Sequence, residues 1–201
     1  MAYRYFIVYK PFHVLSQFTE EIPGQLTLHS LGVLPKNIYP VGRLDKDSEG
    51  LLLLTNDKAL NHQLLHPKFK HQRTYWIQVE GIPKEEDLAP LRVGISIRIK
   101  KKLHQTAPAI VRIIAAPTSI PERNPPVRFR KDIPTSWLEI TLTEGKNRQV
   151  RRMSASIGFP VLRLIRNRIE DLSLKELKGQ PVIELKKEQV YQLLNINRTK
   201  R

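Results

Sequence analysis

The sequence predicts an α+β fold with a mixed, mainly antiparallel β-sheet and flanking helices, on three observations. Stretches of strand-like alternation outnumber stretches of helical period, and their turns fall at hairpin-like spacings. A chain of 201 residues with a hydrophobic fraction of 40% can bury a core unaided. It must do so, because there is no cysteine to staple it.

The opening YRYFIVYK is aromatic and β-branched and reads as a strand ended by Pro11. A loop with Pro23 and Gly24 leads to a short apolar stretch around Leu26 to Leu31. Ile38 to Val41 reads as a strand entering GRLDKDSEG, and Leu51 to Thr55 as a strand buried on both faces. Asn56 or Asp57 can cap a helix through about Leu65, stopped by Pro67. His71 to Glu80 is a strand closed by Gly81 and Pro83, and KEEDLAPLRVG then has the acidic first turn of a helix. Strands are expected at Ile95 to Ile99 and Ala109 to Ile114.

Ala116 to Ser136 holds five prolines and no periodicity, so it is a long loop. It is either a surface insertion or a basic RNA-gripping arm, with its cations beside Phe129. Trp137 to Thr143 alternates as a strand, Gly145 turns, and NRQVRRMSASIG reads as a basic helix ended by Gly158. Val161 to Ile169 alternates again, leaving Arg163 and Arg166 to point outward or into a cleft. An amphipathic helix near Lys186 to Ile196 closes the chain. The expected division is a main domain over 1–185, followed by a C-terminal helix and basic tail over 186–201.

Charge narrows the function. Thirty-four Lys and Arg against nineteen Asp and Glu leave a net +15, which favours a polyanionic partner, nucleic acid above all. From Glu122 to Arg168 eleven basic residues face four acidic ones, a local +7 rich in the arginine that pairs bidentately with phosphate. Without cysteine, disulfides, thiolate metal sites and cysteine nucleophiles are excluded. No GxxxxGK loop supports ATP use. His62 and His66 have helical metal spacing but no third ligand, so exposed or capping roles are expected and no metal. The start lacks a secretory pattern and the run Leu51 to Leu54 is far too short to cross a bilayer, so a cytoplasmic monomer without membrane contact is expected.

The loop GRLDKDSEGLLLLTND carries three carboxylates, Asp45, Asp47 and Glu49, between two apolar strands. Chemistry alone leaves several readings open: an acid–base pair, part of a magnesium site, or a solvated turn with local salt bridges.

This segment resembles motif II of the RsuA-type pseudouridine synthases, GRLD followed by LLLLTND, with Ser48 standing where the family commonly has Thr. YKPFHVLSQ resembles that family's early KP-x-x-x-LS turn. RTYWIQVEG resembles the segment with the active-site tyrosine, here Tyr75, with Arg73 where many relatives have Lys. TEGKNRQVRRM and PVLRLIR resemble the last motif, which implies Arg151 as the partner of the aspartate, Arg148 as the second choice, and Leu164 as an apolar packing residue.

The resemblance runs from about Tyr5 to Leu185 and is strongest to a branch that modifies one uridine of large-subunit ribosomal RNA. Many relatives carry a small RNA-binding domain before the catalytic one, which is not expected here. The implied fold has two lobes around a basic catalytic cleft. The implied catalytic residues are Asp45 as nucleophile, Tyr75 and Arg151, with Arg43, Arg73, Arg148, Arg152, Leu164 and Arg166 binding substrate. No cofactor is implied, because a carboxylate can attack C1′ of the ribose or C6 of the uracil directly. The alternatives are the same chemistry on small-subunit RNA or tRNA, and a non-catalytic RNA-binding assembly factor.

Overall fold

The computed structural model describes residues 2–128 and 130–196. Phe129 and the basic tail 197–201 lie outside the described residues. In chain order the elements begin β1 (Tyr5–Lys10), β2 (Tyr39–Pro40), β3 (Glu49–Thr55), α1 (Lys58–Leu65), β4 (Arg73–Glu80) and α2 (Ala89–Val93). They continue β5 (Ser96–Ile99), β6 (Lys102–Gln105), β7 (Ile110–Ile114), β8 (Thr135–Leu142), α3 (Gln149–Ser156) and β9 (Val161–Ile169). Last come β10 (Leu172–Ser173), β11 (Val182–Leu185) and α4 (Lys187–Leu193). The chain forms two compact units, one of Met1–His71 with Arg166–Arg201 and one of Gln72–Ile165, so β9 begins in the second and ends in the first.

In the first unit β1 pairs antiparallel with β3 and β11, β2 with β3, and β10 with the end of β9. Both faces of its strands are covered. Tyr5, Ile7, Leu51 and Leu53 point to one side and meet Leu60 and Leu64 of α1 and Val190 of α4. Phe6, Val8, Leu52 and Leu54 point to the other, where Val14, Leu28 and Ile38 of the long N-terminal connection close over them. Each such leucine contributes roughly 1.5–3 kcal/mol by leaving water.

Asp57 starts α1 by accepting the amides of Ala59 and Leu60, both at 3.1 Å, on Oδ1. Its Oδ2 accepts the hydroxyls of Tyr5 (2.8 Å) and Tyr191 (2.7 Å). One N-cap thus ties α1 to β1 and α4. Burial alone would raise this carboxyl, but the bonds from Tyr191, the Leu60 amide, Tyr5 and the Ala59 amide outweigh it and hold it below its ordinary value. Burial and the bond to Asp57 push the Tyr191 phenol up to about 12.

In the second unit β8 pairs antiparallel with β4 and β7, and β5 with β6. Ile77, Val79, Leu138, Ile140 and Val111 form its core with Leu88 and Leu91, and with Val150 and Met153 of α3. Glu80 at the end of β4 donates its amide to Pro160, just before β9.

The α+β class, the antiparallel pairing and β9 agree with expectation, while four details differ. The helix expected from Lys84 is a 3-10 turn, Glu86–Leu88, running into the short α2. Pro90 at the start of α2 lacks the amide an earlier α-helical turn would need, and its ring would strike the Glu86 carbonyl. The strand expected at Ile38–Val41 shrinks to two residues because Pro40 cannot donate to a ladder. The short strands β6, β10 and β11 carry too little alternation to stand out. Arg163 and Arg166 are buried, 8% and 3% exposed, with their guanidinium groups on the backbone carbonyls of Pro121 (2.7 Å) and Leu51 (2.8 Å).

Candidate active site

Asp45 lies in the first unit, on the loop between β2 and β3. The loop is pinned at several points. Ser16 Oγ donates to the Leu44 carbonyl (2.9 Å) and accepts the Leu44 amide (3.0 Å), and both groups are buried. The His13 amide donates to the Lys46 carbonyl (2.8 Å), and Ser48 closes a turn onto the Asp45 carbonyl (3.0 Å). Leu44 is buried while Arg43 and Lys46 are exposed, so Asp45 and Asp47 sit half-buried between an anchored backbone and water. Glu49 is different: it is 3% exposed and accepts the Tyr9 hydroxyl (3.0 Å), an interior role.

Gly50 follows, with φ +106°. A Cβ there would lie 2.7 Å from the Arg166 amide nitrogen and 3.0 Å from its carbonyl carbon, and closer still to the carbonyl oxygen. Glycine is therefore what lets β3 and β9 approach behind the loop.

Lys10 was not singled out in the sequence, although it belongs to the KP pair. Its side chain is fully buried, with Nζ donating to the carbonyls of Pro11 (2.9 Å) and Val14 (2.7 Å). Burial pushes this ammonium down to about 8; the charges of Glu49, Asp47 and Asp45 resist the fall and Arg166 adds to it. The available signal was a cation ending an otherwise apolar strand.

The other expected residues lie in the second unit apart from Arg43 and Arg166. Tyr75, opposite Ile140 on β4, is half-buried and packs on the core that contains Leu164. Leu164 is 5% exposed. Arg73 begins β4, opposite Leu142. Arg151 on α3 is half-buried and donates Nη1 to the Val161 carbonyl (3.2 Å), on the strand that carries Leu164. Arg148, exposed with φ +52°, is the residue before α3. Arg152 is tied to backbone, to Asn147 (3.2 Å) and to Arg98 of β5 (2.8 Å).

The start of α3 is set by Glu144. Its Oε1 accepts the Ala107 amide (2.9 Å) and Gln149 Nε2 (2.7 Å), and its Oε2 meets His104 Nε2 at 3.2 Å. Burial opposes ionisation, but the Ala107 amide, Gln149 and His104 together hold this carboxyl below its ordinary value. Elsewhere in this unit, Arg128, Arg130 and Lys131 of the long loop line a cavity of about 200 Å³ with Gln78, Glu80 and Leu162. Arg130 pairs with Glu80 at 2.9 Å, and Arg123 donates to the Leu162 carbonyl at 3.1 Å.

Among the described residues no group of three or more His, Cys, Asp or Glu is arranged to hold a metal ion. The His62 and His66 rings lie tilted by 49° with centroids 5.2 Å apart, and His66 Nδ1 accepts the Lys68 amide (3.2 Å), a capping role. Among the same residues no helix is long and apolar enough to cross a membrane.

A family model described as RNA pseudouridylate synthase matches residues 4–156, so the chain belongs to that family, a class of isomerases. Within it the chain is an RsuA-type, RluE-like member. It is 53% identical over 169 residues to the ribosomal large subunit pseudouridine synthase E of Vibrio parahaemolyticus serotype O3:K6, a match spanning 84% of this chain and 68% of that protein. The enzyme of the same name from Xanthomonas axonopodis pv. citri is 49% identical, over 84% of this chain and 86% of its own. A crystal structure of a pseudouridylate synthase superposes with a TM-score of 0.75 at 25% identity, covering 96% of this chain and 74% of the other.

Proposed function

We propose that this protein converts one uridine of 23S ribosomal RNA into pseudouridine, with Asp45 as nucleophile and no cofactor. The observation that carries the reading is the loop itself: a half-buried aspartate on a backbone held by Ser16 and His13, in a chain of this family. The large-subunit target is supported by the names of the relatives at about half identity, and RNA in general by the net charge of +15.

The reaction breaks the N1–C1′ bond of the uridine, rotates the uracil and joins C5 to C1′. The proton lost from C5 is balanced by one gained at N1, so the product is an isomer. The ionised carboxylate of Asp45 forms the transient covalent bond, at C1′ or at C6. The target base must leave its stack, at a cost of a few kcal/mol, and an aromatic face offsets part of that cost. Tyr75 takes this role and Arg151 that of the cation keeping the aspartate charged; both assignments are supported by the motif resemblance. Arg43, Arg73, Arg148, Arg152, Leu164 and Arg166 are assigned to substrate binding on the same ground, and the enzyme is proposed to act in the cytoplasm as a monomer.

Tritium release from carbon-5-labelled rRNA transcripts tests the reading directly. Wild type is expected to release tritium from large-subunit RNA, and Asp45→Asn to release none while still binding it. Release only from small-subunit RNA or tRNA would overturn the target, and an active Asp45→Asn would overturn the nucleophile.

A further inference from the structure

Beside the Asp45 loop stands an aromatic pair that the chemistry above does not use. The rings of Phe12 and His13 stack with centroids 4.1 Å apart and planes 24° apart. Phe12 is partly exposed and His13 exposed. The His13 amide bonds the carbonyl of Lys46, the residue after Asp45, so the pair and the loop are held as one piece of backbone. Exposed cations, Arg43 and Lys46, stand on that same loop.

His13 also sits in the left-handed backbone region, where a side chain is not required. Its φ is +65°, in a turn closed by the Val14 amide on the Pro11 carbonyl (3.5 Å). A glycine adopts that backbone without strain, and the turn asks for nothing more. An exposed ring at this position is not needed to close the turn. Stacked aromatic faces flanked by cations are what an unpaired nucleobase and its phosphate require.

We propose that Phe12 and His13 form a stacking platform for the nucleobase neighbouring the target uridine, with Arg43 and Lys46 meeting its backbone phosphate. The inference rests on the reading of Asp45 as the catalytic centre, which determines which nucleotide is the neighbour. The platform holds the strand while the target base is turned out. It contributes to RNA affinity and not to the bond-making step.

The test measures the dissociation constant of a fluorescein-labelled large-subunit rRNA transcript in the Asp45→Asn background, where turnover does not intervene. Adding His13→Gly removes the ring and relieves the turn. It is expected to weaken binding roughly ten-fold, the order of one lost base–aromatic stack, with an unchanged or raised melting temperature. Adding His13→Tyr instead is expected to keep affinity within about three-fold, because a ring of either kind stacks. Wild-type affinity in the His13→Gly variant would overturn the proposal, as would equal losses in both variants. Failure of the Asp45 reading has its own signature, tritium release that persists in Asp45→Asn, and is thereby distinguished.

Discussion

Replacing Gly50 by alanine adds one methyl group to the strand behind the Asp45 loop, and the structure says what it would meet. The position has φ +106°, and the new Cβ would face the backbone of Arg166, 2.7 Å from its nitrogen and 3.0 Å from its carbonyl carbon. Those atoms cannot rotate away as a side-chain tip can. Arg166 is held further by its Nε bond to Leu51 (2.8 Å), next in the chain to Gly50. Backbone strain at positive φ costs about 1–3 kcal/mol, and forced overpacking about 1–3 kcal/mol more. A total of about 2–6 kcal/mol is a large share of the roughly 5–15 kcal/mol that holds a protein folded. In a chain of this size it lowers the melting temperature by about 4–24 °C.

Gly24→Ala is the internal control, since Gly24 has φ +85° but nothing within 4 Å of its Cβ. Thermal and urea unfolding followed by circular dichroism would read both variants. The Gly24 variant should show the φ penalty alone, and the Gly50 variant clearly more. If the two fall within about 1 kcal/mol of each other, the close approach of β3 and β9 contributes nothing and the reasoning fails.

Asp57→Asn should cost about 2–4 kcal/mol, because the amide cannot accept all four bonds that the carboxylate accepts. Asp57 is held below its ordinary value, so its stabilisation is present above the unfolded-state value near 4 and is lost as pH falls through the lower folded one. Acid unfolding should therefore be shallower in Asp57→Asn, and an identical pH profile would sink the assignment. Tyr191 has the opposite sign: its phenol is raised to about 12, so its contribution is present below about pH 10 and fades as pH rises through 12. Glu144→Gln turns an amide group towards Gln149 or the Ala107 amide and should cost about 1–3 kcal/mol. Its tritium release should fall further than its stability explains, since α3 carries Arg151. Unchanged release would show that the start of α3 keeps its place without Glu144.

What was legible in the sequence was local and periodic. β9 is legible from Val161 to Ile169, where apolar side chains are interleaved with Arg163, Arg166 and Arg168. Leu51 to Thr55 was read as buried on both faces because four consecutive leucines leave no solvent face, and the two core clusters of the first unit divide them alternately. The Asp57 cap and the stop before Pro67 follow from side chains acting on their own backbone. The GRLD loop stood out for a different reason: a fixed run of residue types carries chemistry in its order.

Tertiary structure decided what depends on partners far along the chain. Which of three neighbouring carboxylates goes inward is one such matter, and Glu49 does so because Tyr9 on β1 waits there with a hydroxyl. The sequence leaves Arg166 to point outward or into a cleft, yet its guanidinium donates to the Leu51 carbonyl and is buried there. Alternation records the side on which a residue starts. Whether a charge at that point meets water or a buried acceptor depends on strands brought together across more than a hundred residues of chain.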